Sequence, residues 1–299
     1  NGWVWQDIGN YYGAGATGLN WRENQYDLFL RSGSNLGSVV SIAGTKPSYI
    51  SGLKLESKLA AAKAGSGDNA YIYLPLFSSA GFVRGTIPVN ESKFTISGSM
   101  PDPGNQLALT IESILKKQTM EKIEKNYPAD TKNSSVATTI LTLQSPPLDS
   151  ICNWFLQKSV NLYGEALLKT LGHKFGKSGS TSEGLKVVND FWARQGIEKE
   201  ALRMIDGSGL SPQNRINTDV LVRVLLFARK QSWFDLFYRD LPLYNGMKMK
   251  SGSIGGVISY TGFHRSNKGN FVFAVIVNNY SGGGSQTRRK IWEMLDVLK

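Results

Sequence analysis

The stretch Met249-Lys250-Ser251-Gly252-Ser253-Ile254-Gly255-Gly256-Val257-Ile258-Ser259-Tyr260-Thr261-Gly262-Phe263 decides the fold. It reads as the end of one strand, a glycine-rich break and a second strand whose apolar and polar residues alternate, the period-two pattern of a half-buried strand. A polar tip at 264–270 leads to Phe271-Val272-Phe273-Ala274-Val275-Ile276-Val277-Asn278-Asn279. Three antiparallel strands in meander order are therefore expected, with Lys250 on the first. Upstream, Ser145-Pro146-Pro147 ends a strand-like run at 137–143, and an amphipathic stretch at 148–156 precedes Lys158-Ser159-Val160-Asn161-Leu162-Tyr163, where Ser159-Val160-Asn161 opens a helix.

Ser159-Val160-Asn161 and Lys250-Ser251-Gly252 matter together more than singly. Three motifs, S-x-x-K, S-D-N and K-T-G, jointly build one serine acyl-transfer site, and the second and third have counterparts here as S-V-N and K-S-G. Either triplet alone arises by chance in a Ser- and Lys-rich chain; Ser159 alone would read as a helix N-cap and Lys250 alone as an exposed strand lysine. The context adds Gln144-Ser145-Pro146-Pro147-Leu148 before Lys158 to Leu168, then Asp206-Gly207-Ser208-Gly209-Leu210-Ser211, and near the start Asp7-Ile8-Gly9-Asn10-Tyr11-Tyr12-Gly13-Ala14-Gly15-Ala16. In this order, from Trp3 to the last helix, the chain resembles the D-Ala-D-Ala carboxypeptidase/endopeptidase family, the class C low-molecular-mass penicillin-binding proteins.

That resemblance implies an α+β chain with the penicillin-binding protein/β-lactamase-like transpeptidase fold, an antiparallel sheet flanked by helices with an inserted β-rich accessory region. Residues 1–24 would belong to the catalytic domain and lead into the insertion, 25–135 would be the accessory insertion, and 136–299 the C-terminal part of the catalytic domain. It implies a serine peptidase that cleaves peptidoglycan stem peptides through an acyl-enzyme, inhibited by β-lactams, in the periplasm or another extracytoplasmic compartment of a bacterium. Ser159 would pass a proton towards the leaving group, and Asn161 would anchor a substrate amide and orient the lysine of S-x-x-K. Lys250 would hold a positive field and attract the substrate's terminal carboxylate, which the Ser251 hydroxyl would bind. The Ser253 N–H would be one of two oxyanion donors, with Gly252 and Gly255-Gly256 letting substrate backbone lie close.

One departure cuts against activity. In the family, S-x-x-K lies far upstream of the Gly-Asn-Tyr-Tyr-Gly segment, whereas this chain starts only a few residues before it. Two S-x-x-K matches exist, Ser51-Gly52-Leu53-Lys54 in a turn-like context and Ser113-Ile114-Leu115-Lys116 on an amphipathic helix, and neither sits in the family's place. The expectation is a truncated chain that is inactive alone, whose nucleophile a separate N-terminal fragment could carry. The alternative is a non-catalytic module that binds wall peptides in a retained cleft.

Composition sets the outer bounds. With 299 residues, 41% apolar and 19% charged, the chain is long enough for about two domains with a large core. The net charge of +11 is spread along the sequence without an aromatic-interleaved basic stripe, which argues against a nucleic-acid partner. A lone Cys152 excludes an internal disulfide, and no apolar run approaches the roughly 20 residues of a membrane helix. With only His173 and His264, a His/Cys metal site lacks ligands, and no cofactor is expected.

Between 25 and 135 short strands are expected at 26–30, 39–43, 70–76, 85–88 and 94–97, with helical stretches at 52–63 and 106–125. Further helical stretches are expected at 148–171, 181–195, 217–228, 231–239 and 286–299, the first two broken or capped by Ser, Thr and Gly and the last after a Ser281-Gly282-Gly283-Gly284-Ser285 turn. Gly13-Ala14-Gly15-Ala16 reads as a tight surface loop, because the strand and spacing of a dinucleotide site are missing.

Overall fold

A computed structural model describes residues 2–75, 78, 80–119, 139 and 141–299. The first helical turn, α1 (Trp5–Ile8), runs into six strands: β1 (Gln25–Arg31), β2 (Ser41–Lys46), β3 (Lys54–Ala62), β4 (Asn69–Tyr73), β5 (Ala80–Pro88) and β6 (Phe94–Ser99). They form two three-stranded sheets, ordered β2-β1-β6 and β3-β5-β4. Strict alternation along β1 sends Tyr26, Leu28 and Leu30 into the space between the sheets, where they meet Leu59, Ala61, Ile72, Val83 and Ile87 in one apolar core. Gly98 stands opposite Tyr26 because its missing side chain makes room for the ring: a Cβ there would lie 2.4 Å from a ring carbon.

The expected helix at 52–63 is instead β3, a correction with a clear cause. Its three alanines and the i,i+4 pair Leu55 and Leu59 suit a helix, but Leu55, Leu59 and Ala61 also share one face of a strand, and nine residues pair in parallel with β5. Burial between two sheets overrides a weak local propensity. The other strands of this region lie where alternation puts them, shifted by a few residues. Helix α2 (Pro103–Thr119) covers the described part of the stretch expected at 106–125. Positions 137, 138 and 140 of the strand-like run lie outside the described residues, and 139 and 141–143 are not in a strand.

The chain then enters α3 (Leu148–Lys158), α4 (Asn161–Phe175) and α5 (Thr181–Arg194), a two-stranded ribbon of β7 (Leu202–Arg203) and β8 (Arg215–Ile216), and α6 (Thr218–Arg229) and α7 (Phe234–Asp240). Last come β9 (Leu243–Tyr244), β10 (Met247–Ile254), β11 (Val257–Ser266), β12 (Gly269–Asn278) and α8 (Gly284–Leu295). The sheet order β12-β11-β10-β9 is the expected meander with a short fourth strand. One face packs Met247, Met249, Ile258, Tyr260 and Phe273 against Ile291 and Leu295 of α8. The opposite face carries Phe263 against Leu225, Phe234 and Leu241, with Leu156 of α3 alongside. Helices therefore cover both faces, and α3 is fixed over the face that carries Lys250. Among the described residues no helix is long and apolar enough to cross a membrane.

Candidate active site

The helical stretch expected at 148–171, with a break or cap and with Ser159-Val160-Asn161 opening a helix, is two helices parted at Ser159, and that break makes the site. α3 starts after Pro147, whose φ of −61° suits a helix entry. It ends at Ser159, which adopts the left-handed conformation at φ 53° and donates its N–H to the Phe155 carbonyl. Val160 is extended and α4 begins at Asn161. Ser159 is thus the C-cap of one helix, not the N-cap of the next. A non-glycine residue pays roughly 1–2 kcal/mol for this backbone, strain of the kind that collects at functional sites. The turn leaves the Ser159 side chain exposed between two helices.

On β10, Met247 and Met249 point into the core against α8, so Lys248, Lys250 and Gly252 face the other way. Lys248 Nζ is spent on the carbonyls of Arg239 and Leu241, at 2.7 and 2.9 Å, which ties the strand to the end of α7. Lys250 Nζ donates to Ser159 Oγ in a short contact and to the Ser251 carbonyl at 2.9 Å. Burial under the Ser159 turn holds the Lys250 ammonium below the ordinary lysine range. Two triplets 91 positions apart therefore meet through their polar side chains.

The edge of β10 beside this contact is open. β9 pairs only with Met247 and Lys248, and Met249 N–H reaches the Pro242 carbonyl at 2.9 Å on the same side. Beyond Met249, β10 has no neighbour there among the described residues. Backbone N–H groups alternate sides along a strand, so Ser251 and Ser253, which share the parity of Met249, present theirs to this edge. Gly252 keeps the strand narrow, since a Cβ would lie 2.8 Å from Ser259 Oγ. Gly255 and Gly256 do not floor a substrate groove. They form the hairpin turn between Ile254 and Val257, with Gly256 at φ 76°.

Asn161, on the first turn of α4, donates its Nδ2 to the Tyr12 carbonyl at 2.8 Å, which fixes the amide plane. Two residues on, the Tyr163 hydroxyl donates to Glu23 Oε1 at 2.7 Å, and burial together with that acceptor pushes the phenol up to about 12. Lys169 Nζ bonds the Ala16 carbonyl. The N-terminal segment is thus sewn along α4. Gly13, Ala14 and Ala16 are buried, so the Gly-Ala repeat is packed structure and not a surface loop. A cavity of about 510 Å³ lies behind the first turns of α4, lined among others by Trp3, Gly13, Thr17, Met100, Glu165 and Lys169.

The two S-x-x-K matches stay outside this arrangement. Ser51 donates its N–H to Gln106 Oε1 and its Oγ accepts from Asn105 Nδ2, both on α2. Ser113 is exposed on α2, where Lys116 pairs with Glu112 at 2.6 Å. Among the described residues no group of three or more His, Cys, Asp or Glu side chains could hold a metal ion. Sequence reasoning gave no role to Glu165 or to the Tyr12 carbonyl. Glu165 carried a signal, an acidic residue one helical turn after Asn161 among apolar neighbours.

The model of the D-Ala-D-Ala carboxypeptidase 3 (S13) family matches residues 1–298. The chain is 24% identical over 254 residues to a D-alanyl-D-alanine carboxypeptidase of Actinomadura sp. (strain R39), a match covering 77% of this chain and 47% of that protein. It is 23% identical over 309 residues to penicillin-sensitive carboxypeptidase A of Dictyostelium discoideum, covering 93% of this chain and 58% of that one. The chain spans about half the length of these curated relatives. The crystal structure of penicillin binding protein 4 from Haemophilus influenzae superposes with a TM-score of 0.76 at 20% identity, over 98% of this chain and 71% of that one, which shows a shared fold.

Proposed function

We infer the function from one premise: the chain belongs to the D-Ala-D-Ala carboxypeptidase 3 (S13) family. We propose that it forms the acyl-transfer cleft of a serine-type D-Ala-D-Ala carboxypeptidase/endopeptidase that acts on peptidoglycan stem peptides on the wall-facing side of a bacterial membrane. The observation that carries this reading is the contact of Lys250 Nζ with Ser159 Oγ beside the open edge of β10.

An extended peptide ending in D-Ala-D-Ala would add to that edge as a further strand, its backbone held by the exposed groups of Ser251 and Ser253. Its terminal carboxylate would meet the Lys250 ammonium and the Ser251 hydroxyl. The serine of an S-x-x-K motif would attack the carbonyl of the penultimate residue, and the Ser253 N–H would stabilise the oxyanion. The C–N bond then breaks. The proton lost by the nucleophile reaches the departing amine through the Ser159 hydroxyl, and water later cleaves the ester. Asn161, whose Nδ2 is held by Tyr12, would use its Oδ1, which has no hydrogen-bond partner among the described residues, to accept from a substrate amide or from the lysine of S-x-x-K. A lowered Lys250 helps, because burial that disfavours a bare ammonium makes an incoming carboxylate more strongly bound.

The acylated serine is proposed to be none of those in residues 1–299, since Ser51 is bonded to α2 and Ser113 is exposed on that helix beside a lysine paired with Glu112, neither of them at the Ser159–Lys250 contact. β-Lactams would acylate that same serine. The test is release of D-alanine from a D-Ala-D-Ala peptide by the protein purified from its source, beside residues 1–299 expressed alone. Release by the former and none by the latter is expected. Release by residues 1–299 alone, abolished by Lys250→Ala, would place the nucleophile within them. Peptide binding without release by either would leave a binding module.

A further inference from the structure

We propose that Glu165 is a positioning residue which, with the Asp206-Gly207-Ser208-Gly209 turn, braces α4 so that the Ser159–Asn161 turn is held against Lys250. The inference rests on the acyl-transfer reading above for what the brace serves.

Two glycines let the backbones touch. A Cβ on Gly164 would lie 2.5 Å from the Gly207 carbonyl oxygen, and one on Gly207 would lie 2.3 Å from the Gly164 carbonyl oxygen. At this contact Glu165, 4% exposed, accepts on Oε1 from the N–H groups of Gly207 and Ser208, both at 2.9 Å, and the Ser208 hydroxyl adds a third bond. Asp206, 3% exposed, accepts from Gly209 N and Asn214 Nδ2 on one oxygen, at 2.7 and 2.9 Å, and from Ser211 N and Trp3 Nε1 on the other, at 2.6 and 2.9 Å. Trp3 belongs to the segment whose Tyr12 carbonyl holds Asn161. A closed circuit results: Asn161 to Tyr12, along the segment to Trp3, through Asp206 and Gly207 to Glu165, and back one helical turn to Asn161.

Neither carboxylate forms an ion pair among the described residues, and Asp206 adds to the burial that raises Glu165. Burying two adjacent acids without a cation costs stability that an apolar pair would not. What the acids supply is direction, because a carboxylate that accepts three donors from one turn fixes both distance and angle. A helix end so fixed can hold Ser159 in its left-handed turn.

The test reads Lys250 itself, through the Cε and Nζ signals of protein labelled with 13C,15N-lysine, and in parallel the rate of acylation by benzylpenicillin in the protein purified with its nucleophile. In Glu165→Ala the Ser159 turn loosens, water reaches Lys250, and its titration should move up towards ordinary lysine. Acylation should fall roughly ten- to a hundred-fold, in the rate constant more than in binding, as misplacement of about 1 Å does. Glu165→Gln keeps an acceptor for both N–H groups and can donate to the Ser208 hydroxyl, so it should recover most of both readouts. A folded Glu165→Ala protein with unchanged Lys250 titration and acylation would overturn the proposal, as would Gln behaving no better than Ala. Should Glu165→Ala fail to fold, Glu165→Asp retracts the carboxylate by one methylene and must show an intermediate loss; full function there would overturn it equally. If the unaltered protein is not acylated, the acyl-transfer reading fails, while the Lys250 titration still decides the brace.

Discussion

The two N-terminal sheets and the C-terminal sheet are built from similar strands but by opposite rules. Between the two N-terminal sheets the described residues form one core of fourteen buried apolar side chains. Around the C-terminal sheet the apolar residues fall into smaller clusters, and the space between them holds buried Glu165, Asp206 and Asp240, a left-handed Ser159 and a lysine under a serine. The first arrangement is a closed apolar core. The second gives up some stability to hold polar groups in fixed directions, as the proposed acyl transfer would require.

The contrast breaks most directly at Lys250. Lys250→Ala should lower acylation by about 10²–10⁴-fold, the range for groups that handle charge and protons in the transition state. Thermal unfolding should show no loss of stability, because a partly desolvated cation has been removed. A large drop in melting temperature would mean that the lysine is structural.

The mirror-image experiment is Leu28→Ala, in the core between the two N-terminal sheets and fully buried. Deleting those methyl groups should cost about 2–5 kcal/mol in chemical denaturation, with the acylation rate of the folded fraction unchanged. Coupling of the two regions through the site would instead appear as a slower reaction at temperatures where the protein is still folded.

A smaller effect should come from the strained turn. Ser159→Gly relieves the positive φ and should stabilise the protein by up to about 1 kcal/mol, while the loss of the hydroxyl slows acylation. Equal losses of stability and rate would show that the turn is not strained.

The smallest effect is a pH slope. Burial raises Glu165 above its ordinary value of 4.5, so the folded state binds its proton more tightly than the unfolded chain. Its contribution to stability is full below 4.5 and is lost as pH rises through the higher folded-state value. Glu165→Gln should flatten the decline in stability between 4.5 and that higher value. Lys250 runs the other way: its lowered value means that stability is gained as pH climbs from the folded value towards 10.5.

How much of this the residues announce differs between the same two regions. The meander of β10 to β12 and the helices α5, α6 and α8 follow from alternation and caps, and motif context singled out Ser159 and Lys250, though their direct contact with each other was not expected. Residues 25–99 yielded their antiparallel strands but not β3, since Lys54 to Ala62 satisfies helix and strand patterns alike and the parallel contact with β5 decides. In the site, the chain was expected to open a helix at Ser159, but its role as the left-handed C-cap of the preceding helix was hidden because no glycine or proline marks it. The double glycine at 255–256 was equally ambiguous until the register of β10 on β11 made it a turn. Glu165 and the Tyr12 carbonyl act through partners 42 and 149 positions away, which local patterns do not encode.

The measurement that bears most directly on the central claim is peptide-mapped mass spectrometry of the source-purified protein after exposure to benzylpenicillin, with and without Lys250→Ala. The account predicts a covalent adduct on a serine that is none of those in residues 1–299, formed at least about a hundred-fold more slowly in the variant. An adduct on Ser51 or Ser113, or equal rates with and without Lys250, would contradict it.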